Sequence, residues 1–207
     1  HQGVRRLDYL FLSHGHQDHA GGAPALAALL PVENIMMPRE PYSGPLAMLI
    51  HTTGGRKIIP QYEGQTIWLD GLVIRVIYAP SGSGAEHGNE VSSVIRVSYG
   101  RHSFLFTGDL EQAGEAEMLS RGLTERTTVL KVGHHGSRTS STPAFLAAVD
   151  PQYAVISVGF NNRFGHPSPA TCTRLAARGT RVYRTDQQGA IIFNSDGKYL
   201  EANPYFE

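Results

Sequence analysis

Short apolar runs, separated by polar breaks rich in glycine and proline, recur along the whole chain. The first, "LDYLFLS" from Leu7 to Ser13, is a continuous apolar run and predicts a fully buried strand. "AGGAPALAALLP" then predicts a helix ended by Pro31. From Val32 to Pro60 the pattern is mixed. Within it, "MLIHTTGGRKII" predicts a short helix, a turn at Gly54-Gly55 and a strand. "QTIWLDGLVIRVIYAP" predicts a hairpin, because Asp70-Gly71 supplies the positive φ angles that its turn needs. A glycine- and serine-rich loop, "PSGSGAEHGNE", follows. "VSSVIRVSY" and "HSFLFTG" read as two strands joined at Gly100-Arg101, and "EQAGEAEMLSRG" as a helix capped by Gly122.

The second half keeps this rhythm. "TTVLKVG" and "QYAVISVG" predict strands on either side of a helix, "STPAFLAAVD", with Pro143 near its first turn. "SPATCTRLAARG" predicts a helix with Ser168 as N-cap, Pro169 at its first position and Gly179 beyond its end. "RVYRT" and "GAIIFNS" close the series. Hairpins in the middle with helices interleaved on both sides imply sheets covered by helices on their outer faces. No internal repeat or low-complexity tract interrupts the pattern.

Composition narrows this picture. With 207 residues, 41% of them hydrophobic, the chain can bury a sizeable core as one domain spanning residues 1–207. Eighteen basic residues balance eighteen acidic ones, so there is no overall basic excess of the kind that marks many nucleic-acid binders. Local patches remain open, from Arg5, Arg6, Arg56 and Lys57, or from Arg174, Arg178 and Arg181. One cysteine, Cys172, excludes an internal disulfide and a cysteine-rich zinc site, and reads as a small buried hydrophobe in a helix. No segment has the roughly 20 apolar residues of a membrane span, and no secretory signal is visible.

The chemistry is concentrated in "SHGHQDHAGG", Ser13 to Gly22. His14 and His16 are two residues apart at a strand's end, so their imidazoles leave the backbone in the same direction. Asp18 and His19 follow as the chain turns into a helix and can address a second point nearby. Four ionisable groups beside a dry core are costly unless paired or bound to metal. Imidazole and carboxylate donors suit zinc, manganese or iron. Gly21 and Gly22 let the backbone pass close to the cluster.

"HGHQDH" resembles the hallmark motif of the metallo-beta-lactamase superfamily, and later segments extend the likeness. "FLFTGDL" places Asp109 after a second apolar strand, as the family's bridging carboxylate is placed. Such a bridge has a physical reason: two cations ~3.5–4 Å apart repel unless an anion lies between them. "LKVGHHGSRTSS", "VISVGFNNRFGHPSP" and "YRTDQQGAI", in this order, resemble the C-terminal metallo-beta-lactamase-like domain of the ComEC family of DNA-uptake channel proteins. The pneumococcal phosphorylcholine esterases share the fold and a similar layout through "HHG". The likeness is dense over residues 8–22 and 104–193 and follows only the rhythm over 32–80.

The resemblance implies an α+β fold, the four-layered αββα sandwich, with two divalent metal ions (manganese or zinc) at one edge. The family's strand pair before the HxHxDH motif is not in this chain, so the sandwich is expected without its N-terminal strands. His14 and His16 would bind one metal, Asp18, His19 and His135 the other, with Asp109 shared. His134 and His135 are alternatives for ligation; the one that does not ligate would touch substrate. His166, in "GHPSP", would contact phosphate or donate a proton, with ligation as the second choice. Ser137 lacks a base at triad spacing and reads as a turn or substrate-contact residue. His87, or Asn89 in its place, stands where relatives carry another ligand.

The implied reaction is hydrolysis of a phosphodiester without a serine or cysteine nucleophile. ComEC likeness implies a DNase that degrades the strand not taken up, with single-stranded DNA as partner and no nucleotide cofactor. It also implies a place on the extracytoplasmic face of the membrane, attached to the channel portion of a larger membrane protein, with the domain itself soluble. Two other readings stand beside it: hydrolysis of a small phosphodiester or ester, and a non-catalytic module that guides DNA. The second is disfavoured because every member of HxHxDH, and Asp109, is present.

Overall fold

A computed structural model describes residues 3–39, 42–54, 57–80 and 91–206. Two sheets carry the architecture. The smaller has three parallel strands in the order β1 (Leu7–Phe11), β2 (Val32–Met37) and β3 (Ile58–Pro60). The larger has seven strands, in the order β10 (Arg181–Arg184), β9 (Tyr153–Ile156), β8 (Val129–Lys131), β7 (His102–Phe106), β6 (Val94–Tyr99), β5 (Leu72–Tyr78) and β4 (Thr66–Leu69). Its first four members run parallel and the remainder antiparallel. A separate hairpin, β11 (Ile191–Ser195) and β12 (Leu200–Pro204), ends the series.

Each sheet has its own helical cover, as sandwich architecture requires. On the small sheet lie α1 (Gln17–Ala20), α2 (Ala23–Leu29) and α3 (Gly44–Thr53). Ala23, Leu46 and Leu49 of these helices pack with Val32, Ile35 and Met37. On the large sheet lie α4 (Gln112–Ser120), α5 (Pro143–Val149) and α6 (Pro169–Ala176). There Met118, Phe145, Leu146 and Leu175 close over Leu105, Leu130, Ala154 and Ile156. A one-turn helix, α7 (Thr185–Gln188), follows β10. Cys172 is half-buried against this second core. Among the described residues no helix is long and apolar enough to cross a membrane.

Local chemistry explains most boundaries. Asp70 (φ +47°) and Gly71 (φ +83°) make the turn between β4 and β5, the conformation a two-residue hairpin needs. Thr142 caps α5 by accepting from the Phe145 amide, with Pro143 at the first helical position. Pro169 likewise opens α6, but the Ser168 side chain makes no capping hydrogen bond. Of the stretch from Ala20 to Leu30 only Ala23–Leu29 forms α2; Ala20 ends α1, and the chain turns at Gly21 and Gly22 between the two.

The structure corrects one reading of the opening strand. The residues of β1 are half-buried, with Asp8 exposed, rather than fully buried. β1 lies at the sheet edge, paired with β2. Its Phe11 faces a cavity of about 360 Å³ shared with Ile74, Ile95, Val97 and Phe106 of the other sheet.

Glu115 holds the loop that leads from the β8 end into α5. It is buried, and its carboxylate accepts from the Ser141 amide at 2.5 Å and the Thr142 amide at 2.8 Å. Burial raises its pKa, and these two bonds oppose the rise. Glu115→Ala would strand both backbone donors and is expected to cost about 2–4 kcal/mol, measurable by urea denaturation of the two proteins.

Candidate metal centre

The functional side chains collect where strands of both sheets end. His14 follows β1, Asp109 follows β7, His134 and His135 follow β8, and the segment ending in His166 follows β9. All lie beyond carboxyl ends of parallel strands, the edge at which open α/β sheets present their sites. The sheets are tied together here, since the Ser93 amide donates to the Ser13 carbonyl at 2.9 Å. The backbones touch so closely that a Cβ on Gly108 (φ +54°) would lie 2.8 Å from Ser13 Cβ and 3.0 Å from Ser92 Cβ. Only glycine fits that approach without strain.

Two donor sets share one carboxylate. Ligand atoms of His14, His16 and Asp109 lie within 4.8 Å of one another, and so do those of Asp18, His19, Asp109 and His135. Asp109 Oδ1 stands 3.0 Å from His19 Nε2 and 3.6 Å from His135 Nε2. Its Oδ2 is 3.9 Å from His14 Nε2 and 4.0 Å from His134 Nε2. His135 Nε2 also lies 3.3 Å from Asp18 Oδ2 and 3.1 Å from His19 Nε2. Asp109 itself is pinned through its backbone amide, which donates to Ser92 Oγ at 3.0 Å.

The donor set fits divalent cations. His14 Nε2 is buried and finds no hydrogen-bond partner among the described residues, and the buried Asp109 Oδ1 faces the imidazoles of His19 and His135. A buried polar atom without a partner is rare in native proteins, and here it and the Asp109 oxygen point into the shared space between imidazoles. Desolvation, with the neighbouring His19, lowers the His14 pKa from 6.5 to about 3, against the pull of Asp109. His14 is therefore a neutral imidazole, the form that ligates. Burial pushes the Asp109 carboxyl up, but His19 and His135 outweigh it and hold it below the usual carboxylate range.

The adjacent histidines separate cleanly. Both occupy a tight turn, Gly133–Gly136, with left-handed backbones at φ +45° and +52°. Such angles cost roughly 1–3 kcal/mol each in a non-glycine residue and gather at functional sites. His135 Nδ1 donates to the Ser157 carbonyl at 2.7 Å, which leaves the Nε2 lone pair facing His19 and Asp18. His134 Nδ1 meets Glu111 Oε1 at 2.7 Å instead, and its ring lies 5.4 Å from that of His166. Desolvation, with His134 and His135 nearby, lowers the His166 pKa.

The structure thus brings together His14, His16, Asp18, His19, Asp109 and His135, with His134 and His166 alongside. Ser137 is buried, and its hydroxyl is engaged with Thr139 Oγ1 at 2.9 Å. His87 and Asn89 lie outside the described residues. Three contributors escape a reading by motif. Glu111 joins His134 to Thr139, whose hydroxyl donates to it at 2.7 Å. Ser92 Oγ lies 3.2 Å from His14 Nδ1. Lys131 donates to the Gly108 carbonyl at 3.3 Å, and burial lowers its pKa against the pull of Asp109 and Asp18. A lysine inside the apolar run "VLKV" is the signal that could have found it.

The sequence profile of the Metallo-beta-lactamase superfamily matches residues 1–159. The chain is 33% identical over 210 residues to ComE operon protein 3 of Bacillus subtilis (strain 168), covering 99% of this chain and 27% of that protein. It is 37% identical over 192 residues to competence protein ComA of Neisseria gonorrhoeae, covering 92% of this chain and 26% of that protein. The chain therefore spans about a quarter of the length of these relatives. CmlA, a diiron beta-hydroxylase from Streptomyces venezuelae, superimposes with a TM-score of 0.61 at 13% identity, covering 87% of this chain and 44% of that one. At that identity the likeness is one of fold.

Proposed function

Since the chain belongs to the metallo-beta-lactamase superfamily, we propose that its edge site holds two divalent cations, manganese or zinc, and hydrolyses phosphodiesters of DNA. The carrying observation is Asp109, a buried carboxylate common to both donor sets. His14, His16 and Asp109 would hold one ion, and Asp18, His19, His135 and Asp109 the other. When bound, such a pair supplies an activated water and the positive charge that stabilises a leaving oxygen.

The chain's own groups do the remainder. The Ser157 carbonyl orients His135 by accepting its Nδ1 proton. Glu111 does the same for His134, whose Nε2, on the Asp109 side of the ring, would meet a phosphate oxygen or hand a proton to the departing one. His166 lines a cavity of about 380 Å³ with Asp18 and His135, in reach of the same oxygens. Ser137 shapes the turn from within rather than acting as a nucleophile.

Resemblance to proteins named for competence supports DNA as substrate and single strands as the form met. In that reading the domain degrades the strand not taken up, beside the channel portion of a longer membrane protein and on its extracytoplasmic face. Purified chain supplied with Mn²⁺ or Zn²⁺ is expected to turn over bis-(p-nitrophenyl) phosphate and to cut an oligonucleotide. Turnover of the small ester alone would favour a small-substrate hydrolase. Retention of DNA in a gel shift with neither activity would favour a guiding module and overturn the proposal.

A further inference from the structure

The segment from Gly159 to His166 carries more than a hydrolytic site requires. Phe160 is 79% exposed and Phe164 67% exposed, and Phe164 lines a cavity together with Asp18 and His135 of the candidate metal site. Phe164 is also organised. Its ring stacks on that of His166, with centroids 6.2 Å apart and planes 20° from parallel. The Arg163 guanidinium stands 5.0 Å over the Phe164 ring.

The backbone beneath is held in place by one side chain. Asn162 Nδ2 donates to the carbonyls of Gly159 at 3.2 Å and His166 at 2.6 Å. Its Oδ1 accepts from the amides of Phe164 at 3.2 Å and His166 at 3.1 Å. An exposed ring on a tied backbone pays little ordering entropy when something covers it. Phe164 and His166 both line the cavity that also contains Asp18 and His135. A group covering the ring therefore sits next to the bond that the cluster would cut.

We propose that Phe164, flanked by Arg163, is a stacking platform for one unpaired nucleobase beside the scissile phosphodiester, giving the site a preference for single-stranded nucleic acid. The inference rests on the phosphodiester reading above and names how its substrate is gripped. A base offers a flat π-face to a phenyl ring whatever its identity. Arg163 adds attraction for the neighbouring phosphate and stacking of its own. The same guanidinium repels a quaternary ammonium, so a choline-type headgroup is disfavoured at this ring. Within a duplex both faces of each base are covered by neighbours, which keeps paired DNA off the platform.

The test is fluorescence anisotropy on the Mn²⁺-loaded chain, with a labelled oligothymidylate whose phosphorothioate linkages resist cleavage. An abasic oligomer with the same linkages serves as comparison. Phe164→Ala is expected to weaken binding of the oligothymidylate about tenfold and to leave the abasic Kd unchanged, while Phe164→Trp restores the parent value. Equal Kd for the parent and Phe164→Ala, equal weakening on the abasic oligomer, or duplex binding as tight as single strand would overturn the platform. Bis-(p-nitrophenyl) phosphate turnover by the parent chain is read separately. Its absence together with an uncut oligonucleotide would overturn the reaction, while the anisotropy decides the platform alone.

Discussion

Asp109→Ala is expected to lower bis-(p-nitrophenyl) phosphate turnover by at least about a thousandfold, the loss of several kcal/mol of charge stabilisation. The substitution removes a donor from both sets at once, since the Asp109 ligand atoms are common to the two clusters. No other residue in the cluster has that property: His14 and His16 serve one set, and Asp18, His19 and His135 the other. The fold should survive. Asp109 is anchored by its backbone amide on Ser92, which alanine keeps, and its carboxylate faces imidazoles of the site, His19 and His135 among them, rather than the core. Initial rates with Mn²⁺ and with Zn²⁺, beside circular dichroism of the same preparations, check both halves. An unchanged rate in a folded variant would rule out the shared carboxylate.

How far the sequence carries the reader differs between fold and site for physical reasons. β5, β6 and β7 are legible because antiparallel neighbours are joined by turns with recognisable chemistry, at Asp70-Gly71 and Gly100-Arg101. β2 is not, because "VENIMM" has neither alternation nor a bounding turn signal, and its partners β1 and β3 reach it by crossovers through helices. β12 and α7 escape in the same way, being short and polar. Burial of β1 is misread because a continuous apolar run cannot say that one neighbouring position lies at a sheet edge.

At the site, HxHxDH is legible because its donors are local in sequence. Ser92 is not: its hydroxyl meets His14 across 78 positions, and nothing in "EVSSVIR" announces a histidine partner. The division between His134 and His135 is likewise invisible to spacing. Adjacent residues with left-handed backbones send their rings apart, and the carbonyl of Ser157 and the carboxylate of Glu111 then decide which nitrogen each presents. The same crossing of distant segments puts the Phe164 ring beside Asp18, 146 positions earlier in the numbering, along one cavity wall.

Stripping metal from the protein with a chelator is expected to lower its Tm by about 5–11 °C. A ligand that binds the folded state and not the unfolded one stabilises by about 2.7 kcal/mol when free at a hundred times its Kd. For a chain of this size each kcal/mol moves Tm by about 2–4 °C. The unfolded chain scatters its donors: Asp18 and Asp109 are 91 positions apart, and His135 is 26 further on, so only the fold assembles either set. The stripped protein meanwhile keeps the buried His14 Nε2 without a hydrogen-bond partner among the described residues, a penalty the cation removes. Differential scanning calorimetry with EDTA, then with Mn²⁺ or Zn²⁺ restored, reads the shift directly. In Asp109→Ala the shift should shrink to a small fraction of this value, because both sets lose their common oxygen. A full shift in that variant, or none in the parent chain at saturating metal, would remove the cations from the account of this site.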